Sequence, residues 1–360
     1  MKLFNAGATR PAANAARLSA ANDLVQRTLA QHGLVPAAGL GTQSGSPDLS
    51  PLDAMLARFS NPSLRSGTPE ITVPDGAAFK EDTFACASGS RRFRLYVPAS
   101  ARNGASGVVM MLHGCTQTPE DFAAGTGMNN LADQHGFVVV YPAQSRGDNA
   151  QSCWNWFSRG DQHRGRGEPA ILAALARQVC AEHDVARDNT FIAGLSAGAA
   201  MAVILGETYP DVFAAVGAHS GLPLGSAKDV PSAFAAMAGN ALDGPGPVPG
   251  DDRVRTILFH GTADGTVHPS NGDAIARRAC RAHAPQSITM TSSGEEAGRT
   301  YSRETSSDTD GNAVVEHWTI DGQGHAWSGG QPGGSYTDPK GPDASAEMIR
   351  FFFAASAKGT

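Results

Sequence analysis

The spacing of apolar positions changes character along the chain. Up to about residue 70 they are sparse and helically spaced. Leu18, Ala21, Val25 and Leu29 fall near one face and Gly33 supplies a stop, which predicts a short amphipathic helix. "PAAGLGTQSGSP" reads as a linker, and "SPLDAMLARF" as a second short helix with Ser50 as N-cap and Pro51 at the first helical position. From Phe79 the period shortens to that of strands. "TFACA" and "RFRLYV" flank "SGS" as a hairpin, with Phe93, Leu95 and Val97 alternating against Arg92, Arg94 and Tyr96. Unbroken apolar runs follow: "GVVMMLHG", "GFVVVYP", "NTFIAG", "FAAVGAHSG" and "RTILFHG", separated by helical segments such as "EPAILAALARQVCAEHD" and "SAGAAMAVILGETYP". "VVEHWTI" supplies a late strand and "ASAEMIRFFFAASA" a closing helix. Strands buried on both faces and alternating with helices predict an α/β domain, a mostly parallel central sheet with helices on both faces. The expected organisation is an N-terminal helical extension and linker over residues 1–70 and a main domain over 71–360, with a Gly/Pro-rich inserted loop at about 222–253 that carries one short helix. The extension either packs on the main domain or serves as a surface anchor.

One polar residue interrupts this pattern where a strand gives way to a helix. Gly194-Leu195-Ser196-Ala197-Gly198 matches G-x-S-x-G, in which a serine sits on a strained turn and the glycines remove side chains that would strike the neighbouring strand and helix. The same pattern elsewhere marks a serine N-cap with close-packed glycines, but here the strand before it and the helix after it are those of a nucleophile elbow. A serine hydroxyl needs a base, and the base needs an acid to orient it, in the chain order Ser, Asp, His. Asp264 follows the strand "TILF" in "LFHGTADGTVHP", whereas Asp211 lies in a helix-to-strand connection and Asp243, Asp251 and Asp252 lie in the insertion. His325 in "IDGQGHAWSGG" follows the last strand among small residues. His260 ends a strand, His268 is too close to the acid and His317 is within a strand, so these read as structural. Oxyanion donors are expected from the N–H of Ala197 and from the loop "MLHGCTQT", where Cys115 is favoured and Thr116 is one residue away. Trp154, Trp156 and Trp327 are expected to wall the substrate site, with core packing as the plainer reading of one or two of them.

Composition narrows the class. Apolar residues are 41% and charged residues 17% of 360, and no apolar run reaches the ~18 residues of a membrane helix. The net charge of -6 carries no block of one sign, so nucleic acid is not an expected partner. The five cysteines lack C-x-x-C spacing, which points neither to zinc nor to a dense disulfide framework. No secretory signal is read in "MKLFNAGATRPAANAARLSAAND", so a reducing cytoplasm is the expected location. Cys115 is either a buried thiol or bridged to Cys153, and the sequence leaves this open.

With "LHGCTQT", "SCWNWF", "GLSAGAAMA", "HGTADGTVHP" and "GHAWSGG" in this order, the chain from about Phe79 to Phe353 resembles the polyhydroxybutyrate depolymerase family of esterases. The resemblance implies the α/β-hydrolase fold, a triad of Ser196, Asp264 and His325, no metal or organic cofactor, and as substrate poly(3-hydroxybutyrate), a related short-chain polyhydroxyalkanoate or its oligomers. Feruloyl and acetylxylan esterases share the fold and triad and form the enzymatic alternative; a granule-binding protein that keeps the fold is the non-enzymatic one. The members most similar in layout act on stored polymer, which implies a granule surface as partner within the cytoplasm; an extracellular location is the alternative.

Overall fold

The computed structural model describes residues 69, 71–149, 151–244, 253–283 and 288–354, so the expected extension helices, its linker and residues 245–252 of the insertion lie outside the described residues. The hairpin comes first, as β1 (Ala78–Cys86) and β2 (Gly89–Val97). Then follow β3 (Val108–Leu112), α1 (Pro119–Thr126), α2 (Met128–His135), β4 (Val138–Pro142), α3 (Gly167–Glu182), β5 (Thr190–Leu195), α4 (Ala197–Thr208) and β6 (Ala215–His219). The insertion contributes α5 (Val230–Met237), which opens with a capping box between Asp229 and Ser232. The chain closes with β7 (Arg255–Gly261), α6 (Ser270–His283), β8 (Ile288–Glu296), β9 (Arg299–Ser307), β10 (Ala313–Ile320), the two-residue strands β11 (Trp327–Ser328) and β12 (Thr337–Asp338), and α7 (Ala344–Phe353).

Ten strands form one sheet in the order β1-β2-β4-β3-β5-β6-β7-β10-β9-β8. The strands from β4 to β10 are parallel, and antiparallel hairpins extend both edges. Alternation along β3 shows how the layers are built. Val108, Met110 and Leu112 pack with the apolar residues of α3 and α4 on one face, while Val109 and Met111 pack with α1, α2 and α7 on the other. Each side chain buried this completely contributes about 1.5–3 kcal/mol by leaving water. Helix α4 is apolar on all sides, because it is covered on all sides: every residue from Ala197 to Gly206 is buried.

The edge hairpin β8–β9 is absent from the sequence reading. β8 is exposed on both faces and β9 is mostly half-buried with one buried residue, so no core-facing alternation marks them. Its turn uses Ala297 and Gly298, both at positive φ, in place of the common Asn-Gly pair.

Gly198 decides how closely the layers meet. A Cβ there would overlap the carbonyl oxygens of Leu112 and His113, and one on Gly194 would lie 2.7 Å from the Leu112 oxygen. Only a glycine lets the first turn of α4 rest on the end of β3. Gly198→Ala is therefore expected to destabilise the fold by more than ~3 kcal/mol, since backbone rather than a flexible side chain must move. Gly265→Ala, with nothing within 4 Å of the added carbon, should stay within ~0.5 kcal/mol. Urea unfolding of the two variants measures the contrast, and equal effects would contradict it.

Candidate active site

In an open parallel sheet the carboxyl ends of the strands and the loops leaving them form the functional edge. Ser196 leaves β5 with φ 57 and ψ -119, outside the regions favoured by L-residues, and the first turn of α4 begins at the next residue. Its N–H donates to the His219 carbonyl at the end of β6 (2.9 Å), and the Ser220 N–H donates to the Phe259 carbonyl of β7 (2.9 Å). Adjacent strand ends thus fix the elbow.

Asp264 leaves β7 and is 5% exposed. Its Oδ1 accepts from the N–H groups of Thr266 and Val267, both at 2.9 Å, which makes it an Asx-turn residue as well as a ligand for the base. Its Oδ2 accepts from His325 Nδ1 at 2.8 Å. The two loops are stitched together: Thr262 N–H donates to the Ile320 carbonyl, Ala263 N–H to the Gln323 carbonyl and Gly322 N–H to Thr262 Oγ1. Burial pushes the Asp264 pKa up, but the hydrogen bonds from His260 and His325 and the Val267 N–H outweigh it and hold the carboxyl far below the usual range. With Nδ1–H given to a carboxylate, His325 is left with Nε2 as its basic nitrogen.

Hydrogen bonds distinguish the two N–H groups considered on the loop after β3. Thr116 N–H donates to the Gln151 carbonyl at 2.8 Å, which removes it as a donor to substrate. Among the described residues the N–H of Cys115 has no acceptor, and Ala197 carries one of the first-turn N–H groups that a helix leaves unpaired. The Cys115 loop is held from several directions. A disulfide joins Cys115 to Cys153. Gly114 N–H donates to Gln117 Oε1 (2.9 Å), Gln117 Nε2 donates to Asp121 and to the Ser335 carbonyl, and Trp154 Nε1 donates to the His113 carbonyl (3.0 Å). Behind it lies a buried polar network in which Gln144 bonds Arg91 and Glu168, and Glu168 also accepts from Asn155.

The tryptophans depart from expectation. Trp154 is 0% and Trp327 1% exposed, and both direct the indole N–H inward, to His113 and to Ser345 Oγ. Trp327 packs between Phe122 and His219. They are core beneath the site, not surfaces that a substrate reaches, because the protein fills both their faces and their polar edge. Trp156, 6% exposed, is packed edge-on against Phe157. Of the set-aside residues, Asp211 is held by Arg164 and Arg177, and His268 bonds Ser270. His260 does more than the sequence suggested: its Nε2 lies 2.8 Å from the Val267 carbonyl and 3.5 Å from Asp264 Oδ2, so it braces the acid loop. The HG turn at the strand end was the available signal for it.

Backbone strain collects at the same place. Of seven described non-glycine residues at positive φ, five surround the site: Thr116, Ser152, Ser196, Ser220 and Tyr336. Such conformations cost on the order of 1–3 kcal/mol each and persist where surrounding contacts enforce them. Among the described residues no group of three or more His, Cys, Asp and Glu side chains is arranged to hold a metal ion.

A parallel sheet with a strained serine at the β5–α4 elbow and an aspartate–histidine pair on the loops after β7 and β10 defines an α/β-hydrolase. The chain belongs to the Esterase PHB depolymerase family, whose model matches residues 91–301. It is 32% identical over 233 residues to poly(3-hydroxyalkanoate) depolymerase C of Paucimonas lemoignei, covering 61% of this chain and 54% of that protein. It is 28% identical over 240 residues to a probable acetylxylan esterase A of Aspergillus fumigatus, covering 61% and 64%. The chain thus spans between half and two thirds of the length of these curated relatives. An acetyl xylan esterase structure from Aspergillus awamori superposes with TM-score 0.60 at 20% identity, over 76% of this chain and 98% of that one, which establishes the shared fold.

Two imidazoles at this edge are held neutral. His113 donates from Nδ1 to the Gly114 carbonyl and accepts the Gln144 N–H at Nε2, and burial pushes its pKa down to about 4. His219 accepts the Ser328 N–H at Nε2, and burial with the nearby His260 and His325 pushes it down to about 3. The unfolded chain takes up these protons near ~6.5 and the folded chain does not, so stability is full above ~6.5 and falls as pH drops toward the folded values. The complete effect is on the order of 3 to 5 kcal/mol for each. Glu168, which burial pushes up to about 6, acts with the opposite sign and offsets part of the loss between pH 6 and about 4.5. Unfolding free energy measured from pH 7 to 4 should fall, and His219→Gln should flatten the slope; pH-independent stability would contradict the burial of neutral histidines.

Proposed function

We propose that the protein is a serine esterase that hydrolyses the ester bonds of poly(3-hydroxybutyrate) or related short-chain polyhydroxyalkanoates and their oligomers. The observation that carries the reading is the 2.8 Å bond between Asp264 and His325 on loops beside the strained Ser196. Ser196 Oγ attacks the ester carbonyl while His325 Nε2 takes its proton, and Asp264 holds the imidazole and balances its charge. The carbonyl oxygen, now anionic, receives the N–H groups of Cys115 and Ala197, which are preorganised and need no reorientation. Collapse transfers the proton from His325 to the departing alkoxide and leaves an acyl-serine. Water, deprotonated by the same imidazole, attacks the acyl-serine and releases the acid.

The choice of acyl chain rests on family membership and on relatives named for polyester cleavage, including a poly(3-hydroxybutyrate) depolymerase of Ralstonia pickettii that is 30% identical over 287 residues. The acetylxylan esterase relatives support a second reading, deacetylation of a polysaccharide by the same chemistry. The Cys115–Cys153 disulfide favours an oxidising compartment over the cytoplasm, so of the two expected locations we propose the extracellular one.

Ser196→Ala should lower kcat/KM by at least ~10³-fold with an unchanged melting curve, because it removes the covalent step without opening a cavity. Asp264→Asn should be comparably severe, since an amide favours the wrong imidazole tautomer, whereas the exposed His268→Ala should change the rate by less than ~3-fold. Near-normal turnover by Ser196→Ala would overturn the mechanism. A panel of purified substrates decides the acyl group: release of 3-hydroxybutyrate from its oligomers supports the polyester reading, and release of acetate from acetylated xylan with no such release replaces it.

A further inference from the structure

With Trp154 and Trp327 enclosed in the core, an aromatic surface at the site has to come from another residue, and Tyr336 is placed beside the oxyanion loop. Tyr336 is half-buried, packed in part against the core cluster that includes Phe122 and Trp327, and it stands between the two functional loops. Its hydroxyl lies 3.3 Å from Thr116 Oγ1, on the residue that follows the oxyanion donor Cys115. Its carbonyl accepts the N–H of Trp327 at 2.7 Å, two residues after His325. The preceding Ser335 is tied to the oxyanion loop by Gln117 and to α1 by Asp121. Tyr336 and Thr116 are also two of the strained residues, with φ 52 and 66, a backbone state that a bulky or β-branched residue rarely adopts. Glycine or asparagine would fill either position with less strain, so the side chains themselves are what the strain retains.

We infer that Tyr336 and Thr116 form a subsite for the repeat of the polyester next to the scissile bond. The inference rests on the proposed ester hydrolysis. The surface offered is uncharged: an aromatic ring and two hydroxyl groups, with Thr116 exposed to solvent. A 3-hydroxybutyrate repeat presents a methyl group and a methylene suited to the ring, and an ester carbonyl suited to a hydroxyl donor. Both hydroxyls lie beside the oxyanion loop, so a chain seated there enters the site with its next carbonyl directed toward Cys115 N–H. The subsite engages only substrates long enough to reach past the scissile ester.

The test compares a long and a short ester. In Tyr336→Asn, chosen because asparagine tolerates the left-handed backbone, kcat/KM on the methyl ester of the 3-hydroxybutyrate trimer should fall by ~10-fold or more, mostly through KM. The rate on p-nitrophenyl acetate should stay within ~2-fold of wild type. Tyr336→Phe and Thr116→Val, which remove single hydroxyls, should each lower the trimer value by ~2- to 10-fold. The same trimer ester is titrated calorimetrically into Ser196→Ala with and without Tyr336→Asn, where the second change should weaken binding by ~10-fold. Equal losses on both esters would show that Tyr336 only positions the loops and would overturn the subsite. So would unchanged kinetics in Tyr336→Asn, or trimer affinity that ignores the substitution. A wild-type protein that cleaves neither ester while the calorimetric difference persists would defeat the hydrolytic reading and leave the subsite standing.

Discussion

Everything at the functional edge depends on how closely the first turn of α4 approaches the end of β3. The Gly198 backbone occupies the space against the Leu112 and His113 carbonyls that any side chain would deny it. Ala197 immediately precedes Gly198 on the helix, and Cys115 lies two residues beyond His113 on the loop leaving β3, so the contact joins the two segments that carry these N–H groups. In the proposed mechanism these two N–H groups serve one oxygen, which requires the two elements to be locked together, and backbone contact does the locking. The apolar surround of α4 and the unbroken burial of β3 and β5 make the contact stiff.

Around this contact the protein keeps polar groups buried but satisfied. His113 and His219 each use a ring nitrogen to accept a backbone N–H, which ties the imidazole to loops near the site and explains why burial leaves them uncharged. Asp264 is the opposite case: a buried carboxylate kept ionised by two backbone N–H groups and two histidines. Neutral imidazoles and one fixed anion thus share this edge, and the anion accepts from Nδ1 of His325, the base of the proposed mechanism. The Cys115–Cys153 disulfide adds a covalent tie between the oxyanion loop and the segment containing Trp154.

Much of this arrangement was legible in the sequence, for a physical reason. Ser196, Asp264 and His325 each follow an apolar run that ends in small residues, and parallel strands put such loops on one edge whatever the details of packing. The parallel core was legible for the same reason, since double-sided burial writes itself as unbroken apolar runs. Where adjacent residues offer the same donor, sequence could favour Cys115 without excluding Thr116, and the bond from Thr116 N–H to the Gln151 carbonyl is what sets Thr116 apart. Nor does an indole reveal whether it faces solvent or core, which is why Trp154 and Trp327 were misplaced and Tyr336, in a glycine-rich segment without periodicity, was passed over. The β8–β9 hairpin escaped because β8 is exposed on both faces and β9 is mostly half-buried, so neither carries a hydrophobic period.

In the proposed mechanism this packing leaves Ser196 as the one activated serine. Incubating the folded protein with a fluorophosphonate and mapping the adduct by peptide mass spectrometry tests it most directly. A single adduct is expected on the peptide containing Ser196, formed rapidly in the native protein and lost in Asp264→Asn or after unfolding. A native protein that takes no label, or takes it on another serine, would contradict it.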